Sequence, residues 1–398
     1  MAQVYERSNI QIKYSLMDKY IFSLYYIYFI LKPFYFWDSG LPQISDIIMT
    51  ILILLYGLHK NFSFRIQENA KKFLMICLLF ITYIVVINLV WVLLLGTPDR
   101  FILNSLIYVY NFFIVVFIVF LYAEYKEKLV EVTYKSALAS VFIQFFFFIV
   151  SGGFSGARMT AGFNNPNQLG YYSLLIVSIL IYASSKIKVK VKWFILGILA
   201  SIVLALSSLS KSAIISLIGL MLFYFVFRVF PKISKNKFNF RQSLVVLSIL
   251  LVLVLIYNTT NLLQESTLIQ SVEKRIASTG VESDDTPEAR GYNRIIEYPQ
   301  YWIFGAGEGM YRRFGDHQDR EFHSTLGNIQ VSYGLIGTIL FMMLLVIALR
   351  NDRYKSFYII LFLLLYGIAH NGIRNSLFWL LVALIASNTT IIRKYQTS

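Results

Sequence analysis

The feature that most constrains this chain is the recurrence of long apolar runs. A membrane crossing needs about 20 mostly apolar residues. About twelve such runs can be read, near 20–37, 44–58, 73–95, 101–122, 132–150, 168–183, 193–207, 210–230, 242–257, 325–349, 357–370 and 376–390. A backbone in lipid must satisfy its own hydrogen bonds, which leaves helices or a closed barrel, and runs of this length predict helices. The expected fold is an all-α polytopic membrane protein with about 12 transmembrane helices. Hydrophobic residues at 57% and charged residues at 14% fit that class and exclude an ordinary soluble domain.

The formal charge of +15 invites a nucleic-acid reading, but the distribution of charge argues against it. If the N-terminus lies inside, the inner segments carry 24 Lys and Arg and the short outer ones carry 5, namely Lys32, Arg100, Arg158, Lys211 and Arg374. That asymmetry is the positive-inside rule. It predicts a cytoplasmic-membrane protein with both termini cytoplasmic and the segment 258–323 outside, and no nucleic-acid partner. Cys77 is the single cysteine, so no disulfide framework is expected. The first apolar run follows a long polar lead and lacks a small-residue cleavage site, so it reads as an uncleaved anchor.

Three regions follow: a bundle of about nine helices over 1–257, a large outer loop over 258–323, and about three helices over 324–398. The loop lies between predicted helices 9 and 10 and carries seven basic and eleven acidic residues, so any anion site within it must be local. Its start, 262–278, has the apolar spacing of a helix lying on a membrane surface. Residues 290–304 read as a helix interrupted at Pro299, and Gly305–Gly309 reads as a tight, close-approach turn. The other long outer loop, Ser151–Gln168, is rich in Gly, Asn and Pro, with Asn165-Pro166 as its sharpest break.

The chemistry-bearing residues gather on the predicted outer side. Arg158, Lys211 and Arg374 occupy three separate short loops, and Arg290 and Arg294 lie in the large one. A single such cation commonly snorkels to lipid headgroups. Several converging suit a phosphate, which guanidinium groups bind bidentately, and at the outer membrane surface a lipid-linked pyrophosphate is a natural candidate. His323 ends the loop; it reads as a general base near neutral pH or as an anchor of the next span. His370 holds an analogous position, while His317 and His59 carry no such expectation. Glu321 is the second choice for a base. No His, Cys or carboxylate spacing resembles a zinc site, and Gly305-x-Gly307-x-Gly309 lacks the βαβ context of a dinucleotide site. With no Walker sequence either, no metal, nucleotide or other cofactor is expected.

In this order the landmarks resemble the O-antigen ligase and O-antigen polymerase superfamily of bacterial surface-polysaccharide assembly. Four stretches carry the resemblance: Arg158-Met-Thr-Ala-Gly-Phe-Asn-Asn-Pro-Asn167; Ser207–Ser212 around Lys211, where the family more often has Arg; Arg290 with Gly305-Ala-Gly307; and His323-Ser-Thr-Leu326 followed by Gly334-Leu-Ile-Gly337. The match covers roughly 150–350, and the first 150 residues by topology alone. The Arg–x10–Gly pattern associated with the polymerases is met by Arg294 and Gly305 and missed by one residue at Arg158 and Gly170.

The resemblance implies a GT-C-like helical fold and a metal-independent, inverting glycosyltransferase. Such an enzyme acts on undecaprenyl-pyrophosphate-linked oligosaccharides at the outer face of the cytoplasmic (inner) membrane. In that frame Arg158, Lys211, Arg290, Arg294 and Arg374 would bind the pyrophosphate, with Arg290 also stabilising the charge on the leaving group. His323 would be the base or orient the acceptor. Glu321, Gly305, Gly307, Asn167 and His370 would serve the acceptor or the loop. The first expectation is an O-antigen- or capsule-type polymerase, with a chain-length regulator as a further partner. The alternatives are a ligase moving the finished glycan to another acceptor and a lipid-linked oligosaccharide flippase.

Overall fold

The computed structural model describes residues 15–63, 66, 68–153, 157–229, 267–278, 286–287, 290–317 and 321–388. Among them the chain is helical, with no strand: α1 Leu16–Leu31, α2 Ile44–His59, α3 Glu68–Leu95, α4 Phe101–Tyr125, α5 Glu127–Val150, α6 Pro166–Ser184, α7 Val191–Ser207, α8 Lys211–Tyr224, α9 Thr267–Ala277, α10 Asn293–Glu297, α11 Thr325–Asn351, α12 Phe357–Ala369 and α13 Ser376–Ser387. Of these, α3, α4, α5 and α11 are long and apolar enough to cross a membrane, and α2, α7, α8, α12 and α13 are shorter apolar helices. Eleven of the predicted runs coincide with helices; the run at 242–257 lies outside the described residues.

Helix starts follow local chemistry. Ser15 and Asp18 close a capping box on α1. Asn165 caps α6 by accepting from the Asn167 backbone N–H at 2.8 Å, with Pro166 in the first turn. One boundary differs from expectation: the run 20–37 stops being helical at Leu31. Pro33 has no backbone N–H with which to continue the helical ladder beyond Lys32, and residues 34–43 form a loop instead. Gln43, 1% exposed, ties that loop together by donating to the carbonyls of Trp37, Asp38 and Leu41.

The core sits on α6 and α13. Residues Leu169–Ala183 are all buried, as are Ser376–Ser387. By contrast α2, α3 and α4 present exposed Leu54, Leu93 and Phe113, the face a membrane would cover. Reversing helices put two sets of polar groups at opposite ends of the bundle. One end holds Lys186, Asp352, Ser356 and Asn388, joined through the fully buried Asp352 carboxylate. The other holds the residues singled out above.

The described stretch of the large loop around residues 302–309 packs into the bundle. Residues 305–308 run against α11, with Ala306 N–H donating to Val331 C=O at 2.8 Å and Gly307 N–H to Ser332 C=O at 2.7 Å. Two glycines make this approach possible. Gly305 has φ +87°, and a Cβ there would lie 2.4 Å from the Ser332 oxygen; Gly334 has φ +64°, and its Cβ would lie 2.3 Å from the Ile303 oxygen. The left-handed turn at Gly334 breaks the ladder inside α11, and Leu335 N–H donates instead to Trp302 C=O at 2.7 Å. Alanine at either glycine would meet backbone rather than a yielding side chain. We expect Gly305→Ala or Gly334→Ala to cost about 1–3 kcal/mol or more, read as a lower thermal-unfolding midpoint in detergent.

Candidate active site

A cavity of about 940 Å³ opens at this end of the bundle. Four basic residues from separate parts of the chain line it: Arg158 before α6, Lys211 at the start of α8, Arg275 on α9 and Arg290 before α10. Glu321 is its one carboxylate among the described residues, and His323 and His370 complete the titratable lining.

Each cation is held in place by oxygen acceptors. Arg158 donates to Asn167 Oδ1 at 3.1 Å and to Ser208 C=O at 3.4 Å. Lys211 Nζ donates to Ser278 C=O at 3.0 Å, at the end of α9, and Arg275 Nε to Leu209 C=O at 3.4 Å. Arg290 donates to Ala369 C=O at 2.8 Å, the last residue of α12, while the Tyr292 hydroxyl donates to Ile368 C=O and bonds Ser324 Oγ, both at 2.6 Å. A helix C-terminus presents unsatisfied carbonyls, so α12 anchors the Arg290–Tyr292 turn.

Helix N-termini add to the positive field. α6 and α8 both begin at the cavity wall, with Asn165, Asn167, Ser210 and Ser212 in the lining. The hydroxyls of Ser210, Ser212 and Ser216 are buried there without a protein partner among the described residues. Free N–H groups and the helix dipole at such a start favour anions. Arg and Lys side chains, helix N-termini and hydroxyls thus face one cavity, a set of groups whose chemistry is that of hydrogen-bond donors to an anion.

Glu321 sits at the edge, accepting from Arg100 and Arg374, each at 3.0 Å. His323 is exposed and precedes Ser324, which caps α11 by accepting from Gly327 N–H at 3.0 Å. His370 ends α12, its ring against Tyr366.

Two of the predicted pyrophosphate ligands lie elsewhere. Arg294 is 2% exposed and its guanidinium lies between the rings of Phe314 and Phe322, about 5 Å from each. Burial lowers its pKa below the usual arginine value. It stacks the loop's small aromatic core together and does not line the cavity. Arg374 is bound by carboxylates, Glu308 on one side and Glu321 on the other. Burial opposes its charge, and the two carboxylates outweigh burial, so its pKa rises well above the usual value. Gly305 and Gly307 likewise serve the packing of the loop rather than the cavity.

Glu308 was not legible as a hub. It is fully buried and also accepts from Asn328 Nδ2 at 2.8 Å and the Tyr333 hydroxyl at 2.7 Å, while Asn88 and Asn104 bind its backbone. Arg313 nearby is boxed by Trp91, Phe101 and Phe314, and burial pushes its pKa down to about 10. Arg275 was missed as well: in sequence it is one cation of a surface helix, and only the docking of α9 turns it inward. The signal that did exist was the Ser-rich turn around Lys211. Among the described residues no group of three or more His, Cys, Asp or Glu is arranged to hold a metal ion. No family model matches this chain, and no curated protein matches it.

Proposed function

We propose that this protein is a membrane glycosyltransferase of the polysaccharide-polymerase kind, with about 12 spans and a GT-C-like fold. It joins undecaprenyl-pyrophosphate-linked oligosaccharides at the outer face of the cytoplasmic membrane. The observation that carries the reading is the convergence of Arg158, Lys211, Arg275 and Arg290 on one cavity where two helices begin. That field suits a pyrophosphate more than a neutral sugar, a nucleobase or a cation.

In the reaction the acceptor hydroxyl oxygen bonds to the anomeric carbon of the donor. The bond from that carbon to the pyrophosphate oxygen breaks, and the lipid pyrophosphate leaves with the electron pair. The cations stabilise the charge that builds on the leaving group, and His323 takes the hydroxyl proton. The energy is stored in the donor, so no nucleotide enters.

The test is reconstitution with the host's lipid-linked repeat unit and separation of the products on a gel. The wild type should give a ladder of longer lipid-linked chains, and His323→Ala should slow it by about 10²–10⁴-fold. Transfer only when a different acceptor is supplied would favour a ligase of the same superfamily. Absence of turnover with every acceptor would overturn the enzyme reading and return the flippase.

A further inference from the structure

A second cavity, of about 500 Å³, adjoins the cationic one, and the two share Ser39, Gln168, Glu321, Tyr366 and Asn371. Its electrostatics are different. Lys32 Nζ lies 2.7 Å from Asp46 Oδ1, and Arg374 is neutralised by Glu308 and Glu321. The Tyr110 hydroxyl donates to Asp46 at 3.1 Å, and the remaining polar lining is hydroxyl and amide, including Thr50 and Asn375. Leu103, Leu106 and Ile107 of α4 form an apolar side. A pocket with paired charges and many neutral donors and acceptors fits an uncharged polyol, not a phosphate.

The shared wall points the same way. Asn371 Nδ2 and Oδ1 and Gln168 Oε1 are buried with no hydrogen-bond partner among the described residues. Buried amide groups almost always have partners. An amide offers a donor and an acceptor, and so does a sugar hydroxyl. Glu321 is the charged group on that wall, pinned by Arg100 and Arg374, with its carboxylate available to the same hydroxyl.

We propose that this neutral cavity is the acceptor-glycan site, and that Gln168, Asn371 and Glu321 present the acceptor hydroxyl to the donor sugar across the shared wall. The proposal rests on the pyrophosphate reading of the cationic cavity, and two probes separate the two. One is undecaprenyl pyrophosphate; the other is the lipid-free repeat-unit oligosaccharide, released by mild acid from the host's lipid-linked fraction. Binding of each to the full chain in nanodiscs is measured for wild type, Leu103→Trp and Arg290→Ala. Leu103→Trp fills the neutral cavity with a ring. It should weaken the oligosaccharide by about tenfold or more and leave the pyrophosphate lipid within about twofold, which also certifies that the variant is folded. Arg290→Ala should give the reverse.

Oligosaccharide binding that is absent from the wild type, or unchanged in Leu103→Trp, overturns the proposal. So does a loss of pyrophosphate-lipid binding in Leu103→Trp with the unfolding midpoint unchanged, which would assign the cavity to the polyprenyl chain. Pyrophosphate-lipid binding that ignores Arg290→Ala defeats the underlying reading instead, whatever the oligosaccharide does.

Discussion

Arg290→Ala should reduce the rate of glycan transfer by about 10²–10³-fold, the usual loss when one preorganised donor to a developing charge is removed. Arg290 is the choice because its site is set by rigid elements. One guanidinium nitrogen is fixed on the end of α12 through Ala369 C=O, and the side chain still lines the cavity. Arg290→Lys keeps the charge but not the planar fork, so its rate should fall between wild type and alanine. The measurement is the initial rate of chain extension in reconstituted vesicles, with the unfolding midpoint measured alongside. A variant with wild-type midpoint and wild-type rate would remove Arg290 from the pyrophosphate site. A lowered midpoint would assign the loss to the Tyr292–α12 anchor instead.

The second large effect is on stability. Glu308→Ala should destabilise the protein by about 3–5 kcal/mol, because it takes the fully buried carboxylate away from Arg374 and leaves the more exposed Glu321 alone to balance that charge. The same change deprives Asn328 and Tyr333 of their acceptor. Arg374→Ala should be similarly costly, since it strands the Glu308 carboxylate. The double variant should cost clearly less than the sum, as partners in one network are not additive. The unfolding midpoints of the four proteins in one detergent give the coupling. Additive single effects would mean that Glu308 and Arg374 act on stability separately and that the loop is held by its backbone contacts alone.

Much of this molecule is legible in sequence for a simple reason. Apolar runs of spanning length have few structures open to them, so eleven helices fall where hydropathy puts them. The exception at the end of α1 follows from Pro33, a local signal outweighed by the apolar count around it. The glycines of the loop were also legible as close-approach positions, since only a residue without Cβ tolerates their geometry. What hydropathy does not encode is partnership. Arg158, Arg290, Arg294 and Arg374 are all arginines in polar segments, and nothing in their local spacing separates the cavity pair from the structural pair.

The sequence by itself determined the class of fold, the helix positions and the gathering of cations at alternate helix ends, because these depend on short-range composition and the period of the chain. The tertiary structure alone decided which cations share a cavity. Arg294 goes between two rings and Arg374 between two carboxylates, while α9 brings Arg275 in from a surface helix. Those outcomes depend on contacts between residues far apart in the chain, such as Glu308 with Arg374 and Arg290 with the end of α12. A charge is enclosed within the fold or set at a cavity wall according to the partners that packing brings within hydrogen-bond reach.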